Sequence, residues 1–338
     1  MNLAAVLLPA LLVPTAPDAL PPDALPTLAL VVLQLAVFLG LAPLLAGTIK
    51  RTKARLQGRR GPALVQPYRD LAKWWAKRPV ESSASGPVAR YAPVVVLAAV
   101  VVAALLVPFA TGRPPLAGWG DLFVVVGLLA LARFTLALAA LDAGGAFGGM
   151  GSSRDVAISA LAEPGLVLAL AGAAIAAGSS DLGTISLFGL DHGIGLLGPS
   201  HLLAALAFGV ILVAETGHQP VDNPDTHLEL TMIHEGMLLE SSGRALALLV
   251  YASEIKLVLL GALFAAVFLP FGAATELAPL PVLVGLAVGL VKLFLVGQGL
   301  ALLDATVAKA RILALPDLLG LASLLALTGL GARLLLAP

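Results

Sequence analysis

The chain alternates between long apolar runs and short polar loops. Apolar segments of crossing length fall at 27–49, 92–110, 121–141, 156–177, 199–215, 244–269, 278–303 and 313–336. A helix needs roughly 20 residues to cross the hydrocarbon layer, so the spacing predicts eight transmembrane helices in one bundle. The polar positions gather in four loops, 50–91, 142–155, 216–243 and 304–312. Residues 1–13 are apolar but too short to span, and Pro14, Pro17, Pro21, Pro22 and Pro26 interrupt any continuous helix there. Residues 1–26 therefore read as a weakly structured lead to a single domain over 27–338. No internal repeat is visible, which weighs against transporters built from inverted repeats.

Composition agrees with this all-α polytopic class. Of 338 residues, 59% are hydrophobic and only 12% charged, against roughly 25% charged in soluble domains, and mean hydropathy is +1.00. A net charge of zero argues against nucleic acid as a partner. The chain has no cysteine, which excludes disulfides and any thiolate-ligated metal or iron–sulfur cluster within it. Eleven of the twenty basic residues lie in loop 50–91, so that loop is expected in the cytoplasm. Alternation then places both termini outside and the other three polar loops inside, where they carry Arg154, Arg244, Lys309 and Arg311.

Loop 50–91 has two readings. Its cations serve to set topology and attract anionic lipid, or they dock a soluble partner through residues such as Arg59, Arg60, Arg69 and Lys73. Within it, Tyr68, Trp74 and Trp75 stand among cations, a pattern that suits a short helix lying in the membrane interface. Loop 216–243, with the adjoining residues 214 and 215, is the acidic counterpart. It gathers Glu215, Asp222, Asp225, Glu229, Glu235 and Glu240 with His218, His227 and His234, six of the twenty carboxylates and three of the five histidines.

Charges also fall inside the predicted spans: Arg133, Glu163, Glu254, Lys256 and Lys292, with Asp142, Glu215 and Asp304 at span ends. A charge at the bilayer centre costs at least ~2.5–3.5 kcal/mol on insertion scales. A series of alternating sign across five helices reads as a hydrated polar axis able to conduct protons. Ion pairing between helices, with no transport role, is the other reading.

Two tempting motifs fail. DAGGAFGGMGSSRD, residues 142–155, is glycine-rich but lacks the lysine of a phosphate loop and any dinucleotide spacing, so a flexible loop is expected. His227 and His234 are seven apart, with Leu230 and Thr231 at the intervening helical positions, so no zinc pair of the HExxH kind is offered.

The stretch ETGHQPVDNPDTHLELTMIHEGMLLESSG closely resembles the signature loop of the respiratory complex I subunit 1 superfamily. It looks most like the membrane subunit of group 4 energy-converting nickel–iron hydrogenases, the formate hydrogenlyase type. RLQGRRGPALVQPYRDLAKWW, GSSRDVAISALAEPG and DATVAKARILALPDLLG agree, in order, across nearly the whole chain beyond the lead. The resemblance implies an anchor beneath a nickel–iron-type large subunit and an iron–sulfur small subunit on the cytoplasmic face, with antiporter-like membrane subunits beside it. It implies no catalytic centre, cofactor or metal site in this chain; the nickel–iron centre and clusters would belong to the partners.

The matched positions are Arg154 and Glu163, then Glu215, Pro220, Asp222, Pro224, Asp225, Glu229, His234 and Glu235, and finally Lys309, Arg311, Pro316 and Asp317. On this reading the proton path comprises Arg133, Asp142, Glu163, Glu215, Asp222, Asp225, Glu229, Glu254, Lys256, Lys292 and Asp304. Docking falls to Arg59, Arg60, Arg69, Lys73, Arg154, His234, Glu235, Lys309 and Arg311.

Asp304 stands where the resemblance leads one to expect glutamate. In complex I proper the loop resembles ETNRAPFDLPEGESELVSG, whereas residues 223–229 here read NPDTHLE. The run of glutamates is thinned and histidine enters, which counts against a quinone site. The expected function is thus a proton-coupling anchor of an energy-converting hydrogenase. A quinone-reactive complex I-type subunit is the alternative, and a self-sufficient ion or solute transporter a third.

Overall fold

The computed structural model describes residues 24–80, 82, 85–222 and 232–336. The expected N-terminal lead falls almost wholly outside them. The described chain is all-helical: α1 Ala24–Leu56, α2 Gln66–Trp75, α3 Pro87–Leu106, α4 Leu122–Asp142, α5 Ala146–Ala177, α6 Leu182–His192, α7 Pro199–Glu215, α8 His234–Leu238, α9 Gly243–Phe268, α10 Pro279–Thr306 and α11 Leu315–Leu336. Seven of these are long and apolar enough to cross a membrane: α1, α3, α4, α5, α9, α10 and α11. The expected span at 199–215 is α7, which follows the segment 182–196 at a bend of 118°. Seventeen residues reach about 25 Å, short for a span, and α6 turns sharply away from its N-terminal end.

Helix α9 forms the middle of the bundle, the most buried of the spans, packed by α1, α2, α3 and α10. Helices α5, α7 and α11 make a second mutually packed group. Glycine permits these close approaches. A Cβ at Gly165 would strike Ser323 and Ile211, and one at Gly329 would strike the Ser200 carbonyl. In lipid no water competes for backbone groups, so every freed group must find a partner inside the protein. Pro43 removes the N–H that would bond the Leu39 carbonyl. The Tyr251 hydroxyl donates to that carbonyl at 2.8 Å, and the Tyr68 hydroxyl donates to the neighbouring Gly40 carbonyl. Gln34 closes the end of α3 in the same way, donating to the carbonyls of Ala104 at 2.6 Å and Val107 at 2.8 Å.

The expected interfacial helix is α2. The expected flexible loop at 142–155 is not a loop: α5 is helical from Ala146, so the glycine-rich run is its first turns. Glycine there serves contact rather than mobility. Gly148 and Gly151 bring α5 against Glu240 and against α8, where a Cβ would collide. The Glu240 carboxylate accepts from the Gly148 N–H at 3.1 Å, an anion where the helix dipole favours one.

One face of the bundle carries the segments 57–65, 76–80, 216–222, 232–242 and 307–314, the last four linked through one another. The Ser242 hydroxyl and the Val80 backbone exchange two hydrogen bonds, at 2.7 and 3.1 Å. Gly243, with φ +54°, lies directly on the backbone of Lys77 and Arg78. Ala310 N–H donates to the Pro220 carbonyl at 2.9 Å. The opposite face is closed by two isolated bridges, Thr111 with Ala274 and Asp121 with Asp181.

Gly47 is pressed against the Leu64 carbonyl and Pro67 where loop 57–65 descends beside α1. Gly47→Leu is therefore expected to cost at least the ~1–3 kcal/mol of ordinary overpacking and to abolish a monodisperse peak in detergent size-exclusion chromatography. Gly127→Leu, where nothing lies within 4 Å of the new Cβ, is expected to leave the peak intact.

Candidate functional site

Four helices converge on one group of charges centred on the buried Glu215. Arg133 projects from the middle of α4, Asp155 and Glu163 from α5, Glu215 from the last residue of α7, and Lys256 from the middle of α9. Arg133 donates to Glu163 at 2.9 Å and to Glu215, and its Nε lies 4.0 Å from Asp155. Lys256 lies 2.8 Å from the same Glu215 oxygen, Oε2. The Glu215 side chain is 1% exposed, so a single buried carboxylate is shared by two cations. Alone in a low-dielectric interior it would be prohibitive; two cations make it tolerable.

The chain beyond Glu215 forms a strap, residues 216–222, folded over this group. His218 Nδ1 bonds Asp304 Oδ2 at 2.8 Å, and the Gln219 N–H donates to Asp304 Oδ1 at 3.0 Å. Lys309 donates to Asp222 at 2.7 Å, and the His234 N–H reaches the other Asp222 oxygen at 3.3 Å. Val221, Ile233 and Leu315 pack beneath these bonds. The strap is thereby fixed to the last turn of α10 through Asp304 and to the segment between α10 and α11 through Lys309.

Between the strap and the ion group lies a chamber of about 240 Å³. Charged groups line it, among them Lys50, Lys53, Arg133, Glu215, Glu254 and Lys256, together with apolar Val96, Val100, Leu136 and Ile158. Three buried polar atoms on its wall have no hydrogen-bond partner among the described residues: Glu254 Oε2, Asp155 Oδ2 and His234 Nε2. Water is the partner a polar chamber of this size supplies. Ionisable groups within hydrogen-bond reach of each other and of water can pass protons.

The sequence-predicted path residues divide. Arg133, Glu163, Glu215 and Lys256 are joined in one network; Glu254 shares its chamber; Asp222 and Asp304 hold the strap above it. Asp142 and Lys292 are not part of it. Asp142 accepts from the Ala89 N–H at 2.8 Å, capping the first turn of α3. Lys292 donates to the carbonyls of Leu269 and Phe271, at the opposite end of α9, the position a cation favours at a helix C-terminus. Asp225 and Glu229 lie outside the described residues.

The expected docking residues also split. Arg59, Arg60, Arg69, Lys73 and Arg311 are exposed. Arg154 instead donates to the Met232 carbonyl at 2.9 Å, Lys309 pairs with Asp222, and His234 and Glu235 line the chamber. Sequence reasoning left out Asp155, although it precedes Glu163 by eight residues and so shares its helix face. It also gave His218 no partner, because Asp304 is 86 residues away.

A bundle of helices long and apolar enough to cross a membrane, with paired charges at its centre, is an all-α polytopic membrane protein. The chain belongs to the NADH dehydrogenase family, whose sequence model matches residues 28–332. It is 37% identical to hydrogenase-4 component C of Escherichia coli (strain K12), over 82% of this chain and 86% of that protein. It is 33% identical to formate hydrogenlyase subunit 4 of the same organism, over 82% of this chain and 89% of that one. Its fold is shared with a chain of the membrane-bound sulfane sulfur reductase, an archaeal respiratory membrane complex. The TM-score is 0.80 at 23% identity, covering 91% of this chain and 99% of that chain.

Glu215→Gln leaves Arg133 and Lys256 facing each other without their shared carboxylate. Breaking a buried pair this way typically costs about 3–5 kcal/mol, and the thermal unfolding midpoint of the purified protein is expected to fall clearly. Lys256→Met keeps the bond between Arg133 and Glu215 and is expected to lower the midpoint less. Equal midpoints for the two variants would mean that the group is solvated rather than buried.

Proposed function

We propose that the chain is the membrane anchor and proton-coupling subunit of an energy-converting hydrogenase of the nickel–iron type, in the cytoplasmic (inner) membrane with both termini outside. The observation that carries this reading is the ion-paired chain Glu163–Arg133–Glu215–Lys256, half-exposed at Glu163 and fully buried at Glu215, which lies directly beneath a strap on the most basic face of the bundle. The concentration of lysine and arginine there supports a cytoplasmic position for that face. The names of the two Escherichia coli relatives support a hydrogenase partner. On this reading the nickel–iron centre and the iron–sulfur clusters lie in a large and a small subunit docked on that face, partly through Arg59, Arg60 and Arg311. Antiporter-like subunits pack against the spans.

Coupling would begin with charge. An electron delivered above the strap alters the field at Asp222 and its partner Lys309. The strap leads straight into Glu215, so a change in its seating alters how that carboxylate is shared between Arg133 and Lys256. Protons then redistribute among Glu163, Asp155 and Glu254 through the water of the chamber.

The chamber itself favours a second reading, a quinone headgroup seated between its ionisable and apolar walls. The decisive preparation is the complex isolated gently from membranes through a tag on this chain. Nickel, iron and hydrogen-dependent dye reduction are expected in it. Flavin and iron without nickel, together with reduction of added quinone, would favour the second reading. A chain that purifies alone and metal-free would overturn both.

In the hydrogenase reading, Glu215→Gln and Asp222→Asn should each leave an assembled complex whose hydrogen turnover no longer acidifies the vesicle lumen. Lumen acidification followed with a pH-sensitive dye tests this, and wild-type coupling in both variants would refute the role.

A further inference from the structure

We propose that α2 and its cations form a binding site for anionic phospholipid headgroups in the leaflet on the basic face. The inference is independent of the hydrogenase reading. Depth is the first argument. The apolar part of α1 runs from residue 24 to Gly47, and its first charge is Lys50. Twenty-four residues of helix rise about 36 Å, enough for the hydrocarbon core, so the boundary on this face falls near Gly47. Gly47 lies against Leu64 and Pro67, at the start of α2. The other end of α2 is fixed at the same height, because Arg244, in the first turn of the spanning helix α9, donates to the Trp75 carbonyl at 3.3 Å. Helix α2 therefore lies along the boundary, pinned at both ends to spans.

The surface of α2 is the second argument. Tyr68, 36% exposed, turns its hydroxyl inward to the Gly40 carbonyl of α1, and Trp75, seven residues on, offers a ring that is 53% exposed. Arg69 and Lys73, four apart, form an exposed cationic stripe beside it. Aromatic rings at headgroup level next to cations are what an interfacial helix presents to lipid phosphate. Charge complementarity selects the anionic headgroup: residues 50–91 hold eleven basic residues against Asp70 and Glu81. Arg59 and Arg60 lie past the end of α1, above the boundary, where a soluble partner rather than a headgroup reaches them. The loop's cations thus serve two surfaces, divided by height.

The test uses the intact complex in phosphatidylcholine vesicles carrying a trace of photoactivatable phosphatidylglycerol or photoactivatable phosphatidylcholine. Lipid adducts on residues 57–86 are counted by mass spectrometry. Phosphatidylglycerol is expected to label this segment in preference, by about fivefold for each cation in the site. The preference should vanish in the double variant R69Q/K73Q and persist in R59Q/R60Q. On the native complex it should also collapse in about 1 M salt, where screening acts within about 3 Å. The salt series decides the matter even if the double variant does not accumulate. Equal labelling by the two lipids, or a preference that survives high salt or R69Q/K73Q, would overturn the proposal. So would loss of soluble subunits from R69Q/K73Q with the lipid preference intact, since α2 would then be a protein-docking surface.

Discussion

The carboxylate of Glu215, buried between Arg133 and Lys256, is the interaction on which the arrangement depends. A charge in a low-dielectric interior is bearable only with partners of opposite sign at hydrogen-bonding distance. That requirement fixes the relative heights of four helices. The middle of α4 must meet the middle of α9 and the last residue of α7, and α5 must bring Glu163 and Asp155 to the free side of the guanidinium. Because α7 ends at this carboxylate, its short length is explained: the span stops where its charge is needed. The chain then turns at once into the strap that covers the group.

The same rule, that nothing polar goes unpaired in lipid, explains features distant from the charges. Pro43 frees a carbonyl in α1, and Tyr251 from α9 satisfies it. Gln34 on α1 closes the end of α3, Asp142 on α4 caps its beginning, and Lys292 on α10 reaches the carbonyls past the end of α9. Each of these bonds ties one helix to another or to the residues just past its end. The exposed faces of the spans are mostly hydrocarbon, whereas the interior contacts are individually specified by glycine, proline and a few polar side chains. The bundle is held in register by polar exceptions rather than by apolar bulk, since apolar contact between helices gains little over contact with lipid.

On the basic face the strap is bound to Asp304 of α10 through His218 and Gln219 and to the segment before α11 through Pro220 and Asp222, while α2 and residues 76–80 are bound to the start of α9. Both of the chain's ion-rich loops are therefore attached to spans that carry or neighbour the buried charges. A mechanical or electrostatic change at this face has a short covalent route to Glu215 and a second, through α9, to Glu254 and Lys256.

Sequence alone determined the class and the eight apolar segments, because insertion into lipid is written in local hydropathy and needs no knowledge of neighbours, and it marked the short helix at 66–75. It also marked Arg133, Glu163, Glu215, Glu254 and Lys256, since a charge inside an apolar run stands out without a structure. It misjudged the run at 142–155, where glycine reads as freedom unless the surface packed against Gly148 and Gly151 is known. It could not tell that Asp142 and Lys292 cap helices while Asp155 joins the network, nor that His218 meets Asp304. Those outcomes depend on the rotation and height of one helix against another, set by contacts between residues far apart in the chain. Periodicity reports which residues share a face; only the tertiary structure decides what that face meets.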